Sequence, residues 1–579
     1  MFKLLRFMKP YRLPLLIIAV LAIAQSLANL YLPTLMADIV DNGIITKDIG
    51  YIWGTGGWML LVTLGGTIAA IGGSFYGARV ATGFGKIIRG EIFNHVEHFS
   101  LQEFDKVSTA SLITRTTNDT TQVQQVLIMA LTFLITAPAT LVIGVILAVR
   151  LDATLSLIFV VVMPILVAVI VLLLTRAIPL FRVMQAKLDK LNLILDEGLT
   201  GVRVVRAFDR VRHEEARFDQ ANLDLTDVAI RVNRMVASLM PIMMLVVNVS
   251  SIAILWFGGH RIANGDMPAG DLFAFLNYAL QILFSLLMVS MLFIMLPRAA
   301  ASADRINEVL AIPPQIKDAE QARLAEEQRG YIEYRDVTFS YPGAEEPALS
   351  NISFSAKPGQ VTAIIGGTGS GKSTLVSLLP RFYDVDSGAI LVDGVDTREM
   401  TQGHLRGKVG FVPQKAVLFS GTIAQNIRYG KDDASDEEVK HAAEVAQALD
   451  FISEMPDGFD AAIAQGGTNV SGGQKQRLSI ARALVRKPEI YVFDDSFSAL
   501  DFKTDSRLRA ALKKETLDAT VLIVSQRVST VMDADQIIVL DEGHMAGIGP
   551  HAELMRTCDV YREIVSSQLS MEEIAEKIA

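Results

Sequence analysis

Cysteine is almost missing from this chain: Cys558 stands alone among 579 residues. A single thiol excludes an intrachain disulfide and a thiolate metal cluster, leaving Cys558 as a plain buried or surface thiol. Positive charge is not in excess either. The 53 Lys and Arg are outnumbered by 62 Asp and Glu, for a net charge of −9, and that balance gives no reason to expect a nucleic-acid partner. Charge is nearly absent from the apolar runs that crowd the first half, which disfavours a highly charged cargo held by an intramembrane ion pair. A small-residue cleavage site is missing after the first apolar stretch, Leu13 to Leu35, which is also too long for a signal peptide. It reads as a retained span, preceded by a short amphipathic helix on the inner membrane surface that carries Lys3, Arg6, Lys9 and Arg12.

Apolar residues are what the chain has in plenty. They make up 51% of it, and the mean hydropathy is positive. The length is too great for one core. Because the apolar excess lies in the first half, the expected division is a membrane domain over 1–312, a polar linker over 313–330 and a soluble α/β domain over 331–579. Six spans are expected, at about 13–36, 52–82, 127–149, 153–175, 241–263 and 270–296. The segments between spans two and three and between four and five are long and rich in Lys and Arg, including Lys86, Arg89 and Lys106 in one and Arg203, Arg206 and Arg210 in the other. The positive-inside rule therefore puts both segments, the N-terminus and the soluble half in the cytoplasm. In GLTGVRVVRAFDR, Leu199, Val202, Val205 and Phe208 recur at helical spacing, a stripe that a fully solvated helix does not need. Met235, Met240, Met243, Met244, Met288, Met291 and Met295 crowd the last two spans. Met suits a surface that accepts varied apolar ligands, and it equally suits plain packing or lipid contact. Asp38 and Asp41, near the outer end of span one, either help close an outer gate or sit solvated at the interface.

Chemistry concentrates in the soluble half. Val361 to Leu379 reads as a strand, a glycine-rich loop and a helix. Gly366, Gly367, Thr368, Gly369, Ser370, Gly371, Lys372 and Ser373 fit G-x-x-x-x-G-K-[ST], followed by Thr374. Backbone N–H groups of such a loop point at phosphate oxygens, Lys372 neutralises charge and Ser373 can ligate Mg²⁺. Tyr341 in FSYPG is a candidate to stack on adenine, and Gln414 in FVPQ to reach Mg²⁺ or water. Asp494 ends the apolar strand YVFD and is a candidate Mg²⁺ ligand. Ser471, Gly472, Gly473 and Gln474 open a second helix whose start suits a phosphate. One domain cannot wrap a single ATP with both helix starts, so the second serves a nucleotide held by another domain.

With these motifs in this order, the chain resembles ATP-binding cassette exporter half-transporters over nearly its whole length. The resemblance implies an all-α six-helix membrane domain fused to an α/β P-loop nucleotide-binding domain, with ATP and Mg²⁺ as cofactors. It makes Tyr341 the A-loop aromatic, Gly366 to Thr374 Walker A and Gln414 the Q-loop residue. It likewise makes Ser471 to Gln474 the signature, Asp494 Walker B and Ser498 to Asp501 the D-loop. Such families dimerise head to tail around two ATPs, and their long cytoplasmic loops end in helices that press on the nucleotide domains, one of each pair reaching the partner.

Three positions depart from that pattern. Asp495 stands where the family usually has a catalytic Glu, Gln526 where it usually has a switch His, and Gln465 where a Glu is common ahead of the signature. The carboxylate of Asp495 is one methylene short, and a misplacement of about 1 Å can cost roughly 10²-fold. Gln526 can donate a hydrogen bond but cannot carry positive charge. The pattern resembles heterodimeric bacterial exporters with one degenerate site. The expectation is thus an ATPase-coupled exporter of amphipathic, multidrug-like compounds in the bacterial cytoplasmic membrane. Its expected partners are membrane lipid, a hydrophobic small-molecule substrate and a second half-transporter with Glu and His at the two positions. The alternatives are a lipid, peptide or siderophore transporter, a homodimeric exporter, or a regulatory ATP-binding subunit.

Overall fold

The computed structural model describes residues 2–319, 321–323 and 329–569, with side chains at all of these but Phe2, Leu174, Ser290, Met291, Phe293 and Ile294. Parts of the expected linker therefore lie outside the described residues, as does the side chain of Met291. The chain divides into two compact units, Met1–Glu97 with Val107–Ile312, and His98–Lys106 with Pro313–Ala579.

The first unit is helical. Its helices are α1 (Arg12–Asp38), α2 (Ile49–Glu97), α4 (Thr109–Thr114), α5 (Thr120–Leu151), α6 (Leu157–Thr200), α7 (Val202–Ala207), α8 (Val211–Ala263) and α9 (Ala269–Ala311); α3 (Leu101–Val107) lies in the intervening segment. Among the described residues, six helices are long and apolar enough to cross a membrane. The 53 residues of α8 rise about 80 Å at 1.5 Å per residue, far beyond a hydrocarbon core of about 30 Å. Helices α2, α6 and α8 therefore run well past a bilayer.

Lipid offers no hydrophobic drive between helices, so close backbone approach has to hold them together. On α2, a Cβ at Gly66 would come within 2.9 Å of the Ala28 Cβ, and one at Gly72 within 3.1 Å of Leu21. Small residues thus let α1 and α2 pack. Just past α1, Asp41 is not merely solvated: its Oδ1 accepts from Gly270 N at 2.8 Å and ties this turn to the start of α9. The buried Asp152 carboxylate caps Leu155 N at 2.8 Å and pairs with Arg261 at the end of α8. At the other end, Arg305 on α9 donates through Nε to Asp119 Oδ2 at 2.8 Å. On the stripe of GLTGVRVVRAFDR, Leu199 is 74% and Phe208 75% exposed, while Val205 is half-buried.

The second unit is built on strands. An antiparallel sheet has the order β2 (Leu349–Ala356), β1 (Ile332–Phe339), β4 (Ser387–Val392), β5 (Val395–Asp396). The main sheet has the order β12 (His544–Gly549), β11 (Gln536–Asp541), β3 (Val361–Gly366), β10 (Thr520–Val524), β9 (Ile490–Asp494), β6 (Val409–Val412), with β12 alone antiparallel. The short β7 (Gly421–Thr422) and β8 (Ala462–Ile463) pair separately. Parallel strands covered on both faces read as continuous apolar runs, and β9 and β10 are buried at every position. Register then sets up the site. Val524 pairs with Asp494 on one side and with Ile364 on the other, and Val412 pairs with Phe493. The carboxyl ends of β3, β10, β9 and β6 therefore come level, which is where open α/β sheets take ligands.

Candidate nucleotide site

Four loops leave that carboxyl edge. The loop after β3 turns through Gly369 at φ +86° and Gly371 at φ +92°. Both lie in the left-handed region, where a side chain would be strained. The turn delivers the chain into the helix Lys372–Leu378. Lys372 is buried and curls over its own loop, its Nζ donating to Gly367 O at 2.6 Å and Gly366 O at 3.1 Å. Burial lowers its pKa, opposed by the Asp495 and Asp494 carboxylates. Ser373 Oγ donates to Asp494 Oδ1 at 2.8 Å. The Asp494 carboxyl is held above its usual range by burial, against the pull of that hydrogen bond.

Asp495 follows at φ +43°, a left-handed conformation that Asp tolerates better than most residues. Its N–H donates to Val524 O at 3.0 Å, and its Oδ2 accepts from Gln414 Nε2 at 3.3 Å. Gln526 is exposed just beyond β10. Ser525 N donates to Ile364 O at 3.1 Å, which fixes the start of that loop on β3. The sheet thus gathers Gly366 to Thr374, Gln414, Asp494, Asp495 and Gln526 along one edge. Tyr341, just past β1, donates or accepts at 3.0 Å with Thr374 Oγ1, and its ring meets Phe339 and Tyr383 edge-on.

The signature stretch is not part of this group. Ser471 caps the helix Gly472–Leu484 in a reciprocal box, accepting from Gln474 N at 3.3 Å while Gln474 Oε1 accepts from Ser471 N at 2.8 Å. Ser471 and Gly472 are exposed. Among the described residues, no hydrogen bond joins them to the phosphate loop. Asp501 caps the helix Phe502–Glu515 by accepting from Thr504 N at 3.0 Å, a bond that lowers its pKa. Gln465 lies exposed in the short turn Gln465–Gly467.

Two neighbours of the site carry no motif in the sequence. Arg527 Nη2 donates to Ser498 O at 2.9 Å, and Ser498 Oγ donates to Asp495 O at 2.9 Å. These bonds join the loop of Gln526 to the stretch leading to Asp501. Gln568 reaches the same loop from the last described helix. Neither residue belongs to a spaced motif. The adjacency of Arg527 to Gln526 was the one available clue.

The donors at the edge suit a hard divalent cation. Ser373 Oγ and Asp494 Oδ1 are oxygen atoms already within hydrogen-bond distance, and oxygen is what Mg²⁺ takes, usually with few protein ligands and the rest from phosphate and water. Among the described residues no group of three His, Cys, Asp or Glu could hold a metal by itself.

In the first unit, Met240, Met243 and Met244 on α8 meet Leu283, Phe284 and Leu287 on α9 around an apolar pocket of 20 Å³.

Residues 15–286 match the family described as ABC transporter transmembrane region, and residues 349–498 the family described as ABC transporter. The chain is 43% identical to an uncharacterized ABC transporter ATP-binding protein of Mycobacterium tuberculosis, over 97% of both chains. It is 33% identical to a putative multidrug export ATP-binding/permease protein of Bacillus subtilis, over 83% of both. It is 31% identical to an ATP-dependent lipid A-core flippase of Desulfotalea psychrophila, over 96% of this chain and 97% of that one. Among solved structures it resembles a bacterial Atm1-family ABC exporter with ATP bound, with a TM-score of 0.81 and 26% identity over 98% of this chain and 99% of the other.

Proposed function

The chain belongs to the ABC transporter family, as an exporter half-transporter whose membrane region is fused to its ATP-binding domain, and from that premise we propose which share of the transport cycle it performs. It is a multi-pass membrane protein and an ATPase-coupled transporter. Its own site binds MgATP and turns it over slowly. Its signature serves the ATP of a second, different half-transporter. The pair exports amphipathic compounds across the bacterial cytoplasmic membrane, with the N-terminus and the ATP-binding domain inside.

The observation that carries this reading is that Asp495 and Gln526 follow neighbouring parallel strands, β9 and β10, beside the same phosphate loop. Two unusual residues at one nucleotide are a matched loss. Hydrolysis needs a carboxylate about 3 Å from the attacking water. Asp495 is short for that task, and Gln526 lacks the charge of a protonated imidazole. Losing both slows turnover by about 10²- to 10⁴-fold. Binding survives, because Gln526 can still donate one hydrogen bond to the γ-phosphate and the main contacts lie elsewhere. The Gly366–Ser370 loop wraps the phosphates, Lys372 leaves its own carbonyls for phosphate oxygens, and Tyr341 stacks on the base. Ser373 and Asp494, with Gln414 alongside, would hold Mg²⁺, which would supply charge neutralisation at the phosphates.

A partner is supported from two sides. Ser471 to Gln474 form a sound helix start, exposed at Ser471 and Gly472, with no nucleotide of their own to serve. Leu199 and Phe208 of the apolar stripe are exposed, as suits a helix that docks on another chain's domain. For cargo, the multidrug-export relative supports amphipathic compounds. The flippase relative supports lipid as the second reading. Stimulation of ATPase activity by cationic dyes but not by lipid favours the first, and the reverse favours the second.

The degenerate site is tested by substitution in the two-chain complex. Asp495→Glu restores part of the missing turnover at this site, and adding Gln526→His restores the rest. Full recovery from Asp495→Glu alone shows that Gln526 has no part in it.

A further inference from the structure

The loop that carries Gln526 is held from outside the nucleotide site. Gln568 ends the helix Asp559–Gln568, 42 residues beyond Gln526. Its Nε2 donates to Gln526 O at 2.8 Å, and its Oε1 accepts from Val528 N at 2.9 Å. Val528 opens the short helix Val528–Val531, where Arg527 offers no side-chain cap. Gln568 therefore takes up an N–H of the kind that helix starts leave unpaired. A carboxamide donates and accepts from one planar group, so a single side chain grips the backbone on both sides of Arg527.

The grip has support behind it. Val528, Val531 and Met532 share one buried cluster with Leu554, Tyr561 and Val565 of the last two described helices and Cys558 between them. The loop is anchored before Gln526 by Ser525 N to Ile364 O at 3.1 Å and after it also by Arg527 to Ser498 O at 2.9 Å. Gln526 is thus held on both sides by backbone anchors while its side chain is exposed.

We propose that Gln568 is a positioning residue for the nucleotide site: its carboxamide fixes the backbone of residues 526–528 and so fixes where Gln526 meets the γ-phosphate. The proposal rests on the reading of Gln526 given above. It makes the end of the chain part of the ATP site without touching ATP. ATP and ADP differ by the γ-phosphate alone, so a loosened Gln526 weakens ATP and spares ADP. A general loss of folding weakens both.

The test is equilibrium binding of ATP and of ADP, with Mg²⁺, to the purified full chain. The variants are Gln568→Ala, Gln568→Glu, Gln526→Ala and the double Gln526→Ala/Gln568→Ala. Gln568→Ala is expected to weaken ATP by about five- to tenfold, the worth of one to two neutral hydrogen bonds, with ADP unchanged within about twofold. Gln568→Glu keeps the acceptor for Val528 N and loses the donor to Gln526 O, so it falls between. If Gln568→Ala does not fold, Gln568→Glu decides by the same ratio of ATP to ADP. The double variant is expected to be no weaker than Gln526→Ala, because the two act through one contact. Equal losses for ATP and ADP, or no loss for either, overturn the proposal. If Gln526→Ala weakens ATP and the Gln568 variants do not, the positioning role fails and the reading of Gln526 survives. If Gln526→Ala changes nothing, that reading fails and the proposal falls with it.

Discussion

Ser373 Oγ and Asp494 Oδ1 lie 2.8 Å apart although 121 residues separate them in the chain. The contact exists because β3 and β9 flank β10 in one parallel sheet and end level with each other. Both atoms face the place where the cation of a bound nucleotide is expected. Ser373→Ala removes one oxygen donor and leaves Asp494 buried with one bond fewer. Nucleotide affinity in Mg²⁺ is expected to fall about 10- to 100-fold, the usual cost of disturbing a metal's immediate surroundings. Removing Mg²⁺ with a chelator is expected to narrow the gap between variant and wild type. Binding titrations with and without chelator check both.

Lys372 gives an opposite pair of effects. Its ammonium is buried and pushed toward the neutral form, which costs stability in the empty site. Lys372→Ala is expected to abolish measurable ATP binding while leaving the melting temperature unchanged or slightly raised. A drop in melting temperature alongside the lost binding contradicts this reading of the buried cation.

Phe208 is 75% exposed on its apolar stripe. If it docks on a partner's domain, Phe208→Asp buries a charge at that contact. Transport by the two-chain complex is expected to fall at least about tenfold, on the scale of a 1–3 kcal/mol penalty for a poorly satisfied polar group. ATP affinity at this chain's own site is expected to stay the same. Vesicle transport and nucleotide binding, measured side by side, separate the two.

Asp152 tests the membrane unit. Its carboxylate is 4% exposed and pairs with Arg261 at the end of α8. Arg261→Ala strands it, at an expected cost of about 1–3 kcal/mol. The double variant Arg261→Ala/Asp152→Ala is expected to lose less than the two single losses added together, because no unpaired charge remains. Thermal unfolding in detergent reads the difference.

Much of this was legible beforehand, and the reasons are local. Gly366 to Ser373 announce themselves because phosphate binding needs a fixed short spacing. The membrane helices announce themselves because thirty ångströms of hydrocarbon demand about twenty apolar residues in a row. Fusion of a six-helix region to an ATP-binding domain followed from those two signals and is what the family comparisons show. What stayed hidden depends on contacts distant in sequence. The tie from Tyr341 to Thr374, the bond from Arg527 to Ser498 and the grip of Gln568 on Gln526 and Val528 leave no periodic trace. Asp41 was legible as a carboxylate near a helix end but not as the cap of Gly270. That role arises only once α1 and α9 are packed.

The central claim is that Asp495 and Gln526 leave this chain with a site that holds ATP and barely turns it over. The most direct measurement is ATP hydrolysis by the purified chain alone, beside the same chain carrying Asp495→Glu and Gln526→His. The wild-type chain is expected to bind ATP and retain it intact, and the double variant to hydrolyse at least about 10²-fold faster. Brisk hydrolysis by a stable homodimer of the wild-type chain, at a rate the double variant does not exceed, contradicts the account.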